Sequence, residues 1–116
     1  MGPFNKGEFT ATDASANTLA VPYGIARAIS FQNKSDVDCY GSPATGNSYL
    51  QDVETGSDVH AVVGRGVLIR AQSDVTVDDA NYTPHQTTSL GNNAPSQEWY
   101  FVTATGETAN VSWQRY

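Results

Sequence analysis

Turn-forming residues interrupt this sequence about every ten positions, which limits its regular elements to short ones. Long runs of Leu, Glu, Lys and Ala, which favour helices, are absent. Short apolar segments separated by Gly, Pro, Asn, Asp and Ser are typical of all-β proteins. We therefore predict an all-β fold, either a single antiparallel β-sandwich or a jelly-roll-like barrel.

The clearest predicted strand covers residues 25–31, where Ile25, Arg27, Ile29 and Phe31 occupy alternate positions and share one face. A polar turn follows, and residues 37–40 are predicted to return as the second strand of a hairpin. Residues 75–77 form a short apolar segment, and we predict an edge strand there.

Two further hairpins are predicted. Residues 59–63 and 67–72 flank Gly64-Arg65-Gly66, where two glycines suit a tight turn with positive φ. Residues 98–104 and 109–115 flank a second turn and form the predicted terminal hairpin. In its last strand, Val111 and Trp113 alternate with polar residues, which predicts one buried and one solvated face.

A long loop is predicted around residues 78–97, which carry no strand pattern. A loop of this length in a small domain is usually an arm that packs on a neighbour or a ligand-binding loop. We predict an N-terminal arm at residues 1–8 and one β-sandwich domain at residues 9–116. A chain of 116 residues can bury a core without disulfides or metals.

Charge and terminal composition restrict the partners and the location. The net charge is −6, and the six Lys and Arg residues are dispersed. This pattern argues against binding to nucleic acid or to an anionic membrane. We expect no signal peptide and no membrane span, and hence synthesis in a cytoplasm.

We predict no catalytic residue, no metal site and no cofactor. A zinc site built from His60, His85 and Cys39 lacks paired ligand spacing. A lone cysteine such as Cys39 is more often a small buried residue than a nucleophile. No Gly-x-Ser-x-Gly motif is present. The acidic and amide residues that could bind calcium, or supply a carboxylate pair, match no loop motif: Asp74, Asp78, Asp79 and Asn81.

Aromatic residues near the C-terminus leave a sugar-binding function open. They are Trp99, Tyr100, Trp113 and Tyr116. Exposed aromatic rings form platforms for sugars, whereas two Trp residues on paired strands more often pack together in a core. We favour the core interpretation, with a carbohydrate-binding or adhesin-like module as the alternative function.

Several segments together carry a family resemblance. A polar Ala-, Ser- and Thr-rich opening at residues 9–19 precedes Pro22-Tyr23-Gly24 and then a strand that ends in Ile-Ser-Phe-Gln-Asn-Lys-Ser at residues 29–35. Residues 101–113 complete the pattern as a closing hairpin. In this combination the chain resembles small β-rich structural proteins of tailed bacteriophages, such as capsid decoration and other head or neck accessory proteins.

The resemblance implies a bacteriophage virion protein that assembles with copies of itself, as a homo-oligomer, and docks on other capsid proteins. It implies no catalytic residues. The expected contact residues lie in the arm and in the long loop: Phe4, Phe9, Tyr82, Pro84, His85, Leu90 and Pro95.

Overall fold

The computed structural model describes residues 5–13, 18–21, 23–43, 50–51, 58–59, 61, 63–64, 66–78 and 94–116. Within these residues the chain forms ten strands and a 3-10 turn at Ala94–Ser96. The strands are β1 (Lys6–Ala11), β2 (Thr18–Val21), β3 (Ala28–Asn33), β4 (Cys39–Pro43), β5 (Leu50–Gln51), β6 (Asp58–Val59), β7 (Val67–Ile69), β8 (Asp74–Asp78), β9 (Trp99–Val102) and β10 (Ala109–Arg115).

Two four-stranded antiparallel sheets form a sandwich. The front sheet has the order β1-β10-β3-β8, and the back sheet has the order β2-β9-β4-β7. A small third ladder joins β5 to β6. Along the chain the eight strands of the two sheets alternate between front and back, except that β4 and β7 follow each other and pair within the back sheet. This alternation, with this strand order, is the topology of an eight-stranded jelly roll, so the predicted fold class is confirmed.

All three predicted hairpins are wrong, because their strands pair elsewhere. β3 and β4 lie in opposite sheets, and so do β9 and β10. β6 pairs with β5, whereas β7 pairs with β4. An apolar segment, a short turn and a second apolar segment can form either a hairpin or a crossover between two sheets. The local pattern does not distinguish the two, since both place one face of each strand in the core.

The strand predicted at residues 25–31 begins later than expected. β3 starts at Ala28, and Ile25, placed in the core by its alternation with Ile29, is 87% exposed. Arg27 is also exposed. Residues 23–27 instead form a connecting segment whose backbone bonds to the 3-10 turn and to Tyr116.

Several local predictions are confirmed. Gly64 and Gly66 both have positive φ, at 89° and 79°. The segment at residues 75–77 lies in β8, an edge strand of the front sheet. β10 alternates strictly between buried and more exposed side chains.

Residues 6–8, which we assigned to the arm, form the first half of β1. Most of the predicted long loop, residues 79–93, lies outside the described residues.

An aromatic cluster fills the core between the sheets. Phe31 of the front sheet lies 4.9 Å from Trp99 and 5.4 Å from Phe101, both on β9 of the back sheet. Phe9 on β1 packs on Phe101 at 4.2 Å between ring centroids. Trp99 is 0% exposed and Trp113 is 5% exposed, so the core interpretation of both is confirmed. They lie in opposite sheets and are therefore not a cross-strand pair.

Asn33 connects the end of β3 to the back sheet. Its side chain is buried, and Nδ2 donates to the carbonyls of Val37 and Ile69 at 2.8 and 3.0 Å. Its Oδ1 accepts from the backbone N–H of Ser35 at 2.9 Å. One amide therefore satisfies three backbone groups at the crossover from β3 to β4, two of which lie in or next to the back sheet.

Replacing Asn33 should destabilise the fold far more than replacing its exposed neighbour. We expect Asn33→Ala to lower the free energy of unfolding by about 2–4 kcal/mol, because it leaves buried backbone groups without partners. Gln32→Ala, the matched control on the solvent side of β3, should change it by less than about 0.5 kcal/mol. Urea denaturation measures both. A loss below about 1 kcal/mol for Asn33→Ala would contradict a bridging role.

Candidate functional site

The segment at residues 23–27 is fixed at one end of the sandwich by its backbone. The N–H of Gly24 donates to the carbonyl of Ser96 at 2.9 Å. The Ser96 hydroxyl accepts from the N–H of Ala26 at 2.8 Å and donates to the carbonyl of Ala26 at 3.1 Å. The N–H of Arg27 donates to the carbonyl of Tyr116 at 3.0 Å. The segment is thus bonded to both the 3-10 turn and the C-terminal residue.

Three large apolar or aromatic side chains are exposed at this end of the sandwich. Tyr23 is 61% exposed, Ile25 is 87% exposed and Tyr116 is 63% exposed. We call these three residues the end surface. The backbone bonds above bring these three residues to the same end of the sandwich, and neighbouring large apolar side chains at a protein surface often mark an interaction site. The hydrogen bonds of the segment hold this backbone in place before any partner binds.

Arg115 supports the end surface from below. This residue is 1% exposed, and its Nε and Nη2 donate to the carbonyls of Pro95 and Gln97, both at 2.8 Å. Its guanidinium also lies 5.1 Å from the ring centroid of Trp113. Burial lowers the pKa of Arg115 from its usual range. Together with the bond from Trp99 Nε1 to the Ala94 carbonyl at 2.8 Å, these contacts hold the 3-10 turn against the core.

The outer face of the front sheet forms a shallow polar groove. Its hydroxyl and amide side chains come from three adjacent strands, and Tyr116 lies among its lining residues. Ser30 and Thr76 share a hydrogen bond of 2.8 Å across β3 and β8. The described residues of the groove include two basic and two acidic side chains, whose formal charges balance: Lys6, Lys34, Glu8 and Asp74.

The described residues contain no group of three or more His, Cys, Asp or Glu placed to hold a metal. Asp74 and Asp78 lie at opposite ends of β8, roughly 13 Å apart along the strand, too far apart to act as a hydrolytic carboxylate pair. Asp79, Asn81, His60 and His85 lie outside the described residues.

Cys39 is buried, as predicted, and its chemistry is suppressed. Desolvation raises the pKa of its thiol from 9.0 to about 12, against smaller lowering effects of backbone hydrogen bonds from Val102 and Tyr40. A nucleophilic cysteine needs a lowered pKa and an accessible sulfur. Cys39 has neither, so it packs as a small apolar residue.

Two of the predicted contact residues lie within the described part of the chain, and both face inward. Phe9 packs against the core through Phe101. Pro95 is buried in the 3-10 turn and accepts from Arg115, so its ring is covered by this chain. The other five lie outside the described residues: Phe4, Tyr82, Pro84, His85 and Leu90.

The end surface was not predicted from the sequence as a site. Ile25 was assigned to the core by its alternation with Ile29, and Tyr23 was assigned to a turn. Tyr116 entered only as a possible sugar-stacking ring. One signal in the sequence could have indicated it. The turn residues Pro22-Tyr23-Gly24 come directly before Ile25, so Ile25 could belong to the turn rather than to the strand.

No protein-family model, no curated protein and no solved structure matches this chain. Among the described residues, no helix has the length and the apolar character needed to cross a membrane.

The reactivity of Cys39 tests the geometry of the core. At pH 8 we expect a thiol reagent to label the folded protein on the order of a thousandfold more slowly than the chain unfolded in guanidinium, because the thiol is buried and protonated. Labelling at similar rates in the two states would contradict this arrangement.

The raised pKa of Cys39 also has a consequence for stability. Its contribution is complete below about pH 9 and declines as the pH rises toward about 12, because unfolding releases the thiol proton. Cys39→Ala should remove that part of the alkaline decline, measured as the difference in unfolding free energy between the two proteins across this range.

Proposed function

We propose that this protein is a structural subunit of a virus particle, a capsid decoration or head accessory protein of a tailed bacteriophage. It acts by binding copies of itself and other capsid proteins, without nucleic acid or membrane as a partner. The observation that carries the proposal is the end surface, which presents Tyr23, Ile25 and Tyr116 on a backbone already fixed by hydrogen bonds.

An end surface of this kind suits protein docking. Aromatic residues are enriched at protein interfaces, and a small number of well-placed side chains supplies most of the binding energy. Since the backbone of residues 23–27 is already bonded to Ser96 and Tyr116, little conformational entropy is lost when a partner covers these side chains.

The fold and the charge support the same proposal. Jelly rolls form many viral capsid domains, although lectins and cupins also use them, so the fold alone does not decide the function. The net charge of −6 and the dispersed basic residues disfavour phosphate-rich partners. A virion location follows from the proposed partners.

The direct test is the composition of purified particles. Particles banded in a density gradient from cells that carry this gene should contain the protein at a fixed ratio to the major capsid protein, as measured by quantitative mass spectrometry. Absence of the protein from intact particles would overturn the proposal.

The end surface is tested by adding purified protein to particles made without it. Ile25→Glu should weaken binding by roughly 30-fold or more, the effect of removing an interface hot spot. Ser73→Glu, an exposed change near the far end of β3, is the matched control and should bind as the original protein does. Equal binding by both variants would exclude the end surface.

A carbohydrate-binding or adhesin-like function is the second candidate, and the polar groove of the front sheet favours it. Its neutral hydroxyl and amide side chains suit the hydroxyls of an uncharged sugar, and Tyr116 supplies one exposed ring. Trp99 and Trp113 are buried and cannot serve as stacking platforms.

The groove predicts a specific pattern of sugar binding. With neutral oligosaccharides, amide NMR shifts should concentrate on the outer face of β3 and β10, and Tyr116→Ala should abolish them. The tryptophan emission should stay blue-shifted, because neither Trp is exposed. An absence of shifts across a panel of neutral glycans would reject this second function.

A further inference from the structure

Within the described residues, the two sheets have four edge strands, and three of them are poorly suited to pairing with another chain. β2 has a register irregularity between Leu19 and Val21. β7 has only three residues. β8 carries an Asp at each end, so antiparallel pairing of two β8 strands about their midpoint would place Asp74 opposite Asp78. Short strands, irregularities and charges are common protections of sheet edges.

β1 is neither short nor irregular, and its two charged residues, Lys6 and Glu8, have opposite signs. It has six residues and pairs with β10 in a continuous register without a bulge. The Arg115 N–H donates to the Asn5 carbonyl at 2.7 Å. Since the direction of backbone groups alternates along an antiparallel strand, the N–H and C=O groups of the odd-numbered residues of β1 point toward β10. The N–H and C=O groups of Lys6, Glu8 and Thr10 therefore point to the open edge. Within the described part of the chain, β10 is the one strand paired with β1.

The sequence of β1 is complementary to itself. An antiparallel copy placed about a two-fold axis at Gly7 aligns Lys6 of each chain with Glu8 of the other. Both side chains project from the outer face of the sheet, where they are exposed. Each Lys6–Glu8 pair would use the free backbone groups for two hydrogen bonds and would bring opposite charges directly across the ladder. An axis at Glu8 instead would place two Glu8 side chains opposite each other.

We propose that β1 is a self-association edge, at which a second copy of this chain adds antiparallel to form one continuous eight-stranded sheet. The strand order is then β8-β3-β10-β1-β1-β10-β3-β8. The inference rests on the proposed function only in taking copies of this chain as partners, and it assigns the element and the register of that contact.

The expected dimer is modest in affinity. In this register residues 6–8 of β1 lie opposite residues 6–8 of the second copy, and so short a contact buries less than the roughly 800 Å² per partner that is typical of stable complexes. Within one chain, Glu8 Oε1 also lies 3.3 Å from Lys34 Nζ, and both side chains are exposed. In the dimer, Glu8 would therefore contact Lys34 of its own chain as well as Lys6 of the second copy. The dimer should therefore dissociate on dilution and weaken with added salt.

The test is a charge-reversal cycle followed by sedimentation equilibrium over a range of concentrations. The original protein should fit a monomer–dimer equilibrium. Lys6→Glu and Glu8→Lys should each raise the dissociation constant by about tenfold or more, because two like-charged pairs face each other in every dimer. The double variant with both changes should recover the original value within about threefold, since it restores opposite charges.

Two controls separate strand addition from other contacts. Lys34→Ala removes the partner that Glu8 has within its own chain and should not weaken the dimer. Hydrogen exchange of the Lys6 and Glu8 amides should be slow in the dimer and fast in the Lys6→Glu variant. Thermal unfolding confirms that each variant, changed at an exposed position, keeps the fold.

Three results would overturn the inference: a protein that is monomeric at every concentration, single reversals without effect, or a double variant that stays dissociated. A molar mass that keeps rising beyond the dimer as the concentration increases would also overturn it, because a two-fold contact closes at two copies whereas head-to-tail addition does not. Failure of the β1 contact and failure of the proposed function give different results. Presence in particles with a monomeric protein rejects only the β1 contact, and a charge-sensitive dimer absent from particles rejects only the virion role.

Discussion

The packing of Phe31 against Trp99 and Phe101 is the contact on which the rest of this fold depends. It joins the front sheet to the back sheet at their centres. Apart from β4 and β7, successive strands of the sandwich lie in opposite sheets, so the other strand pairs within each sheet join segments that are not consecutive in the chain. Each sheet needs strands distant in sequence, and those strands come together only when the core between the sheets forms. We therefore expect a cooperative domain with slow folding, as in other sandwiches with non-local pairing.

The sequence predicted properties that depend on a residue and its near neighbours. The alternation in β10, the buried Trp residues, the positive φ of Gly64 and Gly66 and the edge position of β8 follow from local pattern and residue type. The pairing of strands did not follow. The polar turn at residues 33–36 predicted a hairpin. In the structure the chain instead crosses to the back sheet there, and the Asn33 side chain stabilises the crossover by donating to the carbonyls of Val37 and Ile69. That choice depends on residues about 36 positions away.

The end surface was hidden from the sequence for the same reason. Whether Ile25 continues a strand or leaves it is decided by Ser96, whose hydroxyl bonds to Ala26 across 70 positions. Local alternation with Ile29 favoured the core, and the distant hydrogen bond overrides it. Of the predicted contact residues, Phe9 packs against the core and the Pro95 carbonyl accepts from Arg115. An apolar residue in the sequence does not reveal which side of the fold will cover it.

β10 connects the two surfaces that we propose for assembly. Along its length it pairs with β1, whose open edge carries Lys6 and Glu8. At its end, Arg115 holds the 3-10 turn and Tyr116 joins the end surface. Burial of an Arg side chain is costly unless its donors are satisfied, and here the carbonyls of Pro95 and Gln97 accept from it. The charge therefore fixes geometry rather than performing chemistry. Two contacts fixed to one rigid strand have a defined relative orientation, which is the property that a subunit needs to occupy a regular lattice.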